Sequence, residues 1–269
     1  MLVSMTPTAN PDNDWLVPDW PAPHGVRALC TTRNGGFSDG PFQTLNLGSH
    51  VGDGAALVAR NRAVLHHTVV AKPVFLNQVH GTRVLDIDAR TADNLSADGA
   101  FTGARGVACT VMVADCLPVL LCDRKGSRVA AAHAGWRGLA GNGGHGILEQ
   151  ICKRLMPPAL VGYTQPAIEV IAWLGPCIGP QAFEVGADVV EALTRHHPNA
   201  LQHFAPQPNG KWLANLPALA RQRLHAAGVA QVFGNDGSPA WCTVGNPSRF
   251  FSHRRDRVSG RQAACVWLE

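Results

Sequence analysis

Eight cysteines are scattered through this 269-residue chain, and no two of them form a CxxC pair. That lack excludes paired-cysteine zinc modules and thioredoxin-type redox motifs. Several of the cysteines sit inside apolar runs such as "VACTVMVADCLPVLLCD". The opening "MLVSMTPTANPDND" has neither a basic segment nor an apolar one, so no secretory leader is expected. Free thiols in a reducing cytoplasm are the expectation. No apolar stretch reaches the roughly 18 residues of a membrane span. Asp115 and Pro118 break the longest run. Charge is also scarce, at 16% of residues with a net of +4, and there is no long Lys/Arg stripe of the kind that binds nucleic acid. The one dense basic cluster, "SHRRDRVSGR" over 252–261, fits a small anionic ligand as well as it fits a polymer or a solvated face. There is no Walker loop, no GxGxxG, no internal repeat and no linker.

What is present is a core. Hydrophobic residues make up 46% of the chain, enough for one large α/β unit. Residues 1–25, with five prolines, read as an extended lead-in with a mobile tip. Residues 26–269 read as a single catalytic domain. Strands are expected at 26–33, in "PVFLNQVHG" (73–81) ending at His80, in the two apolar halves of 106–123, in "RVAAAHAG", in "AIEVIAWLGP" and in the closing "RQAACVWLE". "RVLDID" is expected to return as the hairpin partner of the 73–81 strand. Helices are expected at 56–69, with Leu57, Asn61, Val64 and Leu65 on one face, at 146–156 before Pro157-Pro158, and at 186–197. Another is expected at 215–228, with Asn215 as N-cap and Gly228 as its stop. Irregular alternation of strands and helices favours a layered α+β arrangement over a strict βαβ repeat.

Three apolar runs stop at side chains able to bind a metal: His80, Cys116 and His133. If those ends meet at one rim, two imidazoles and a thiolate suit Zn²⁺ and leave its fourth position open, as catalytic sites do. Water bound at such a position loses a proton near neutral pH. The same Cys and His also suit a thiol hydrolase, with Cys116 as nucleophile and His133 as base. The additional His80 favours metal. Asp115 is either a supporting carboxylate or a turn former. Arg33 and Arg137, in glycine-rich loops, suit an oxyanion.

The segments "TTRNGGFS", "LNLGSHVGD", "NQVHG", "SADGAFT", "VADCLPVLL", "HAGWRGLA", "GPCIG" and "FFSHRRDRVSGRQAACVWL" together resemble the YfiH/YlmD family, long labelled multicopper polyphenol oxidoreductases or laccase-domain proteins. The likeness runs from about Val26 to Leu268. It implies a single-domain α/β/β/α sandwich with mixed sheets, shared in outline with a toxin-type cysteine hydrolase. It also implies zinc on His80, Cys116 and His133, with copper as an adventitious substitute.

The implied activities are phosphorolysis of adenosine, inosine, guanosine and methylthioadenosine, and adenosine deamination. A role in editing L-Ser-containing peptidoglycan precursors is implied as well. Asp115, Cys116 and Arg137 are the expected catalytic residues, and Arg33, Asn46 and Arg60 the expected substrate contacts. Purine nucleosides and phosphate would be the partners of a cytoplasmic monomer that engages neither nucleic acid nor membrane. The laccase label itself fits poorly. Its copper cluster needs many histidines, whereas His66-His67 and His196-His197 read as unpartnered pairs on helices. Two departures from the family stand out. The stretch after "HAGWRGLA" is long and glycine-rich, which suggests a mobile loop with His145 near the site, and in the basic tail His253 replaces a usual Tyr and Arg257 a usual Gly.

Overall fold

A computed structural model describes residues 14–156 and 168–269. Along the chain run β1 (Val26–Cys30), α1 (Ala55–Val69), β2 (Lys72–Phe75), β3 (Val84–Asp86), β4 (Gly99–Thr102), β5 (Val107–Val113), β6 (Leu117–Asp123) and β7 (Val129–Ala134). Next come α2 (Trp136–Ala140), α3 (Ile147–Leu155), β8 (Val170–Leu174), β9 (Glu184–Val185), α4 (Ala187–Thr194), β10 (Phe204–Pro206) and β11 (Trp212–Ala214). The last are α5 (Leu216–Ala226), β12 (Gln231–Gly234), α6 (His253–Asp256) and β13 (Gln262–Leu268).

Two mixed sheets dominate, one ordered β1-β13-β5-β2 and the other β12-β8-β6-β7-β4-β3. A small third sheet holds β10, β11 and β9. Side chains alternate across each strand, and here both faces are apolar, as strands buried on both sides require. In β5, Val107, Cys109 and Val111 face the second sheet, while Ala108 and Met112 face α1. In β6, Leu120 and Cys122 point into the gap between the sheets, and Leu117, Val119 and Leu121 point to the helices. Leu65 and Val69 of α1 cover the outside of the four-stranded sheet. Ile147 and Ile151 of α3, Val189 of α4 and Leu219 and Leu224 of α5 cover the other. The order of layers is therefore α/β/β/α.

Several details differ from the sequence expectation. "RVLDID" is no hairpin partner: β2 pairs in parallel with β5, whereas β3 pairs in parallel with β4 in the opposite sheet. The strand at 73 ends at Phe75, so His80 lies on the loop that crosses between sheets. The halves of 106–123 also part company, since β5 and β6 belong to different sheets. The buried face of α1 is Val58, Asn61, Leu65 and Val69; it keeps Asn61 and Leu65 of the expected stripe and takes Val58 in place of Leu57, and the Asn61 amide donates to Ser38 and to the Asn46 carbonyl. His196-His197 lies beyond the end of α4. In the lead-in, Trp15 is buried and Leu16 pairs with Cys30, so this part is docked. The lead-in's tip and Pro157-Pro158 fall outside the described residues. Asn215 caps α5 by accepting the Ala218 N–H.

The glycine-rich stretch after α2 is pinned rather than loose. Arg223 is only 3% exposed, and its Nε meets Glu149 Oε1 at 2.6 Å. Its Nη2 donates to the Gly144 carbonyl, to which His197 also bonds. Glu149 Oε2 accepts the Gly146 N–H at the start of α3. Removing one partner of a buried ion pair strands the other charge. Arg223→Ala should therefore lower unfolding stability by about 3 kcal/mol, read as a drop in the urea midpoint. An unchanged midpoint would show that the loop does not depend on this pair.

Candidate metal centre and cavity

His133 is the penultimate residue of β7. Its side chain shares a face with Val129 and Ala131, so it points into the gap between the sheets. Cys116 immediately precedes β6 and shares the parity of Leu120 and Cys122. The β6–β7 register sets Pro118 opposite His133, which brings Cys116 alongside Gly135. The turn from β5 to β6 carries Asp115 at φ +91. His80 sits at φ +59 on the other crossing between sheets. All three ligands thus gather where the chain changes sheet, at one open end of the sandwich.

The two histidines are tied together by Asp98, which is fully buried. Its Oδ1 accepts the His80 N–H at 2.9 Å and meets His133 Nδ1 at 2.8 Å. Its Oδ2 accepts the Gly81 N–H at 2.6 Å and the Val79 N–H at 3.2 Å. The Asp98 carbonyl takes the His133 N–H as well. Burial alone would raise this carboxyl, but the bonds from His133 and the Gly81 and Val79 N–H groups hold it below its ordinary value. Tying Nδ1 to a carboxylate leaves Nε2 of His133 for the cavity and fixes the ring's tautomer.

One donor atom from each of His80, Cys116 and His133 lies within 4.8 Å of the other two. His80 Nε2 stands 3.8 Å from Cys116 Sγ. For zinc bond lengths of about 2.0 and 2.3 Å at a tetrahedral angle, the N to S edge would be about 3.5 Å. The two imidazoles meet edge to face, 4.8 Å between centroids. Gly135 keeps the space between them open: a Cβ there would lie 2.9 Å from Cys116 Sγ and 3.0 Å from the His80 ring. Burial pushes the Cys116 thiol up, yet the charge and hydrogen bond of His133, helped by His80, bring it well below its usual value. His133 moves the opposite way, raised against burial by Cys116 and Asp98. The donor set fits a thiolate-binding divalent ion, and it is the one such convergent group among the described residues.

These ligands form the floor of a cavity of about 420 Å³. Met112, Ile178, Phe183 and Leu216 supply apolar wall. Arg137, Arg254, Arg257 and Arg261 supply positive charge, with His50 and His253 beside them. Asp115 is the lone carboxylate of the lining, and both its oxygens are occupied. Thr243 donates its hydroxyl to Oδ1 at 2.6 Å, and the Arg254 N–H reaches Oδ2 at 2.6 Å.

Of the residues expected from sequence, His80, Asp115, Cys116, His133 and Arg137 come together here. Arg33, Asn46 and Arg60 do not line the cavity. Arg33 donates to the carbonyls of Gln43 and Pro247, and Arg60 stacks on Phe37. Asn46 acts at one remove, its Oδ1 accepting the N–H groups of Gly48 and Arg261. His145 lies outside the lining too. Sequence reasoning missed Asp98, although "SADG" ahead of an apolar strand was visible and a ligating histidine calls for a carboxylate.

The match to the family model described as "Multi-copper polyphenol oxidoreductase laccase" covers residues 27–269. A purine nucleoside phosphorylase of Pseudomonas aeruginosa is 47% identical over 258 residues, 96% of this chain and 99% of the relative. The purine nucleoside phosphorylase YfiH of Escherichia coli is 44% identical over 255 residues, 94% of this chain and 98% of its own. Among solved structures, the Neisseria meningitidis protein NMB0706 superposes with a TM-score of 0.85 at 46% identity, covering 95% of this chain and 99% of that one. YlmD of Geobacillus stearothermophilus gives 0.80 at 29% identity, covering 95% and 96%.

If Asp98 holds the His133 ring and the His80 backbone in place, Asp98→Asn should weaken binding of added zinc by about 10–100-fold, measured by competition with a chromogenic chelator. Affinity equal to that of the parent would remove Asp98 from the site.

Proposed function

The chain belongs to the multicopper polyphenol oxidoreductase laccase family, and from that premise we propose that it is a zinc-dependent purine nucleoside phosphorylase with adenosine deaminase activity. The substrates on this reading are adenosine, inosine, guanosine and methylthioadenosine. The observation that carries it is the pairing of the His80, Cys116 and His133 cluster with a four-arginine wall in one cavity. The names of the relatives point the same way.

Phosphorolysis joins a phosphate oxygen to the ribose C1′ and releases the purine. Its demands are a site for an anion, a site for a flat heterocycle, and exclusion of water that would compete with phosphate. Arg137 presents a planar guanidinium, stacked on Trp136 at 4.3 Å, that can take two phosphate oxygens at once. Phe183, Ile178 and Leu216 offer the apolar surface a purine needs. Zinc, if bound, would be held by His80, Cys116 and His133 and would supply Lewis acidity there. Asp115, as the one carboxylate of the lining, is the residue to carry a proton in deamination. Partners are then small molecules, not nucleic acid or membrane, and the chain works as a cytoplasmic monomer. No helix among the described residues is long and apolar enough to cross a membrane.

A second reading keeps the same ion for a hydrolase that edits L-Ser-containing peptidoglycan precursors. The observation favouring it is the number of arginines, since a diphosphate-linked precursor carries more negative charge than one phosphate. Offering UDP-muramyl-L-Ser and inosine in parallel separates the two by which is consumed. The oxidase label gains nothing from the described residues, where three ligands make one ion's site and not a copper cluster.

Incubation with inosine and phosphate should yield hypoxanthine and ribose 1-phosphate, followed by chromatography. Cys116→Ala should lose the zinc, by elemental analysis, and lose more of kcat/KM than the about 10–100-fold typical of a supporting residue. Full turnover by a zinc-free Cys116→Ala protein would reject the reading.

A further inference from the structure

Four arginines line the cavity, and their side chains are not equally committed. Arg254 Nη1 donates to the carbonyls of Ala182 and Glu184. Arg261 Nη1 donates to those of Ser259 and Gly260. Arg255, next door, is tied to the Thr243 and Phe250 carbonyls and to Asp256. Arg137 is exposed and rests on the Trp136 ring. Arg257 is exposed, and among the described residues its guanidinium makes no hydrogen bond, no ion pair and no contact with an aromatic ring. It faces a cavity whose single carboxylate already has two partners.

The backbone at Arg257 is the second observation. It has φ +63 and ψ −62, and the Val258 N–H donates to the Asp256 carbonyl at 2.7 Å. That is a γ-turn of the positive-φ kind, rare and strained for any residue with a Cβ. Glycine would adopt it without penalty. The turn is clamped on both sides. Ser252 caps α6 by accepting the Arg255 N–H, and Gly260 lies against the Phe251 ring so closely that a Cβ would meet it at 2.6 Å. A strained position that carries a long, uncommitted cation toward a cavity is the pattern of a residue kept for its ligand.

We propose that Arg257 is a specificity-determining residue that grips the phosphate co-substrate from the cavity mouth, opposing the intrinsic preference of its own backbone. The proposal rests on the phosphorolysis reading and extends it to a residue of the basic cluster at 252–261. A planar fork suits a tetrahedral oxyanion better than a point charge does. The two consequences of removing it have opposite signs. Arg257→Gly relieves the turn, a gain in stability, and takes away the anion contact, a loss of phosphate affinity; a side chain without a ligand would give the first and not the second.

The test compares the parent chain with Arg257→Gly and Arg257→Lys, each loaded with zinc. Arg257→Gly should raise the melting temperature, raise the KM for phosphate about tenfold, and leave the KM for inosine within about twofold. Arg257→Lys, which keeps the charge and loses the fork, should recover part of the phosphate KM. A phosphate KM in Arg257→Gly matching the parent's overturns the proposal while leaving phosphorolysis intact. If the parent shows no phosphorolysis, thermal unfolding is followed against inorganic phosphate alone. Stabilisation of the parent but not of Arg257→Gly supports the anion contact independently of the reaction. Equal stabilisation of both, or of neither, overturns it.

Discussion

One buried carboxylate organises the functional end of this molecule. Asp98 accepts three successive backbone N–H groups, from Val79 to Gly81, and orients His133 through Nδ1. The first set shapes the loop that presents His80, so a single side chain positions two ligands that are 53 residues apart in the chain. A carboxylate with no exposure is costly unless every lone pair is used. Here four donors satisfy it, and that requirement in turn forbids the loop from relaxing. The rigidity belongs to the protein and does not wait for an ion.

The place of the site follows from how the sheets are wired. Chains that leave one sheet for the other must cross at the ends of the sandwich, where the apolar filling stops. The 76–83 and 114–116 crossings both do so at the same end, and β7 stops there facing inward. Side chains at such crossings look into a gap that no neighbouring strand fills. Tight crossings also require unusual backbone, which His80 and Asp115 adopt with positive φ. Gly135 leaves the remaining room, since any side chain there would occupy the space between thiol and imidazole. Asp115 closes the arrangement by fastening the C-terminal basic segment, through the Arg254 N–H, to the wall opposite the strands. That segment carries three of the cavity's four arginines, Arg254, Arg257 and Arg261.

Much of this was legible in the residues. Apolar runs ending at His80, Cys116 and His133 proposed a common rim, and the structure brings their donor atoms within one ion's reach. The layered architecture followed from the alternation of strand and helix patterns together with the family likeness. What was illegible has specific causes. Periodicity shows that a segment is a strand but not which sheet receives it. So β2 and β3 looked like a hairpin, although the loop between them changes layers. Asn61 was placed on the right face of α1, where its amide bonds make it core, but Leu57 was taken for Val58 because the two are equally apolar neighbours. Arg33 lies in a glycine-rich loop that resembled an anion cradle, and Asn46 was a substrate contact implied by the family likeness. Their polar groups instead stitch the outer loops together, and Asn46 reaches the cavity only through the backbone of Arg261. The glycine-rich 141–146 stretch looked mobile because glycine count says nothing about the Arg223–Glu149 pair, whose members come from distant helices.

On the proposed function, Cys116 and the two histidines positioned by Asp98 would hold a single zinc ion. X-ray absorption at the zinc edge of the purified protein tests it most directly. The arrangement described here predicts one zinc per chain with one sulfur near ~2.3 Å and about three nitrogen or oxygen neighbours near ~2.0 Å. A spectrum with more than one sulfur per zinc, or with none, would contradict it.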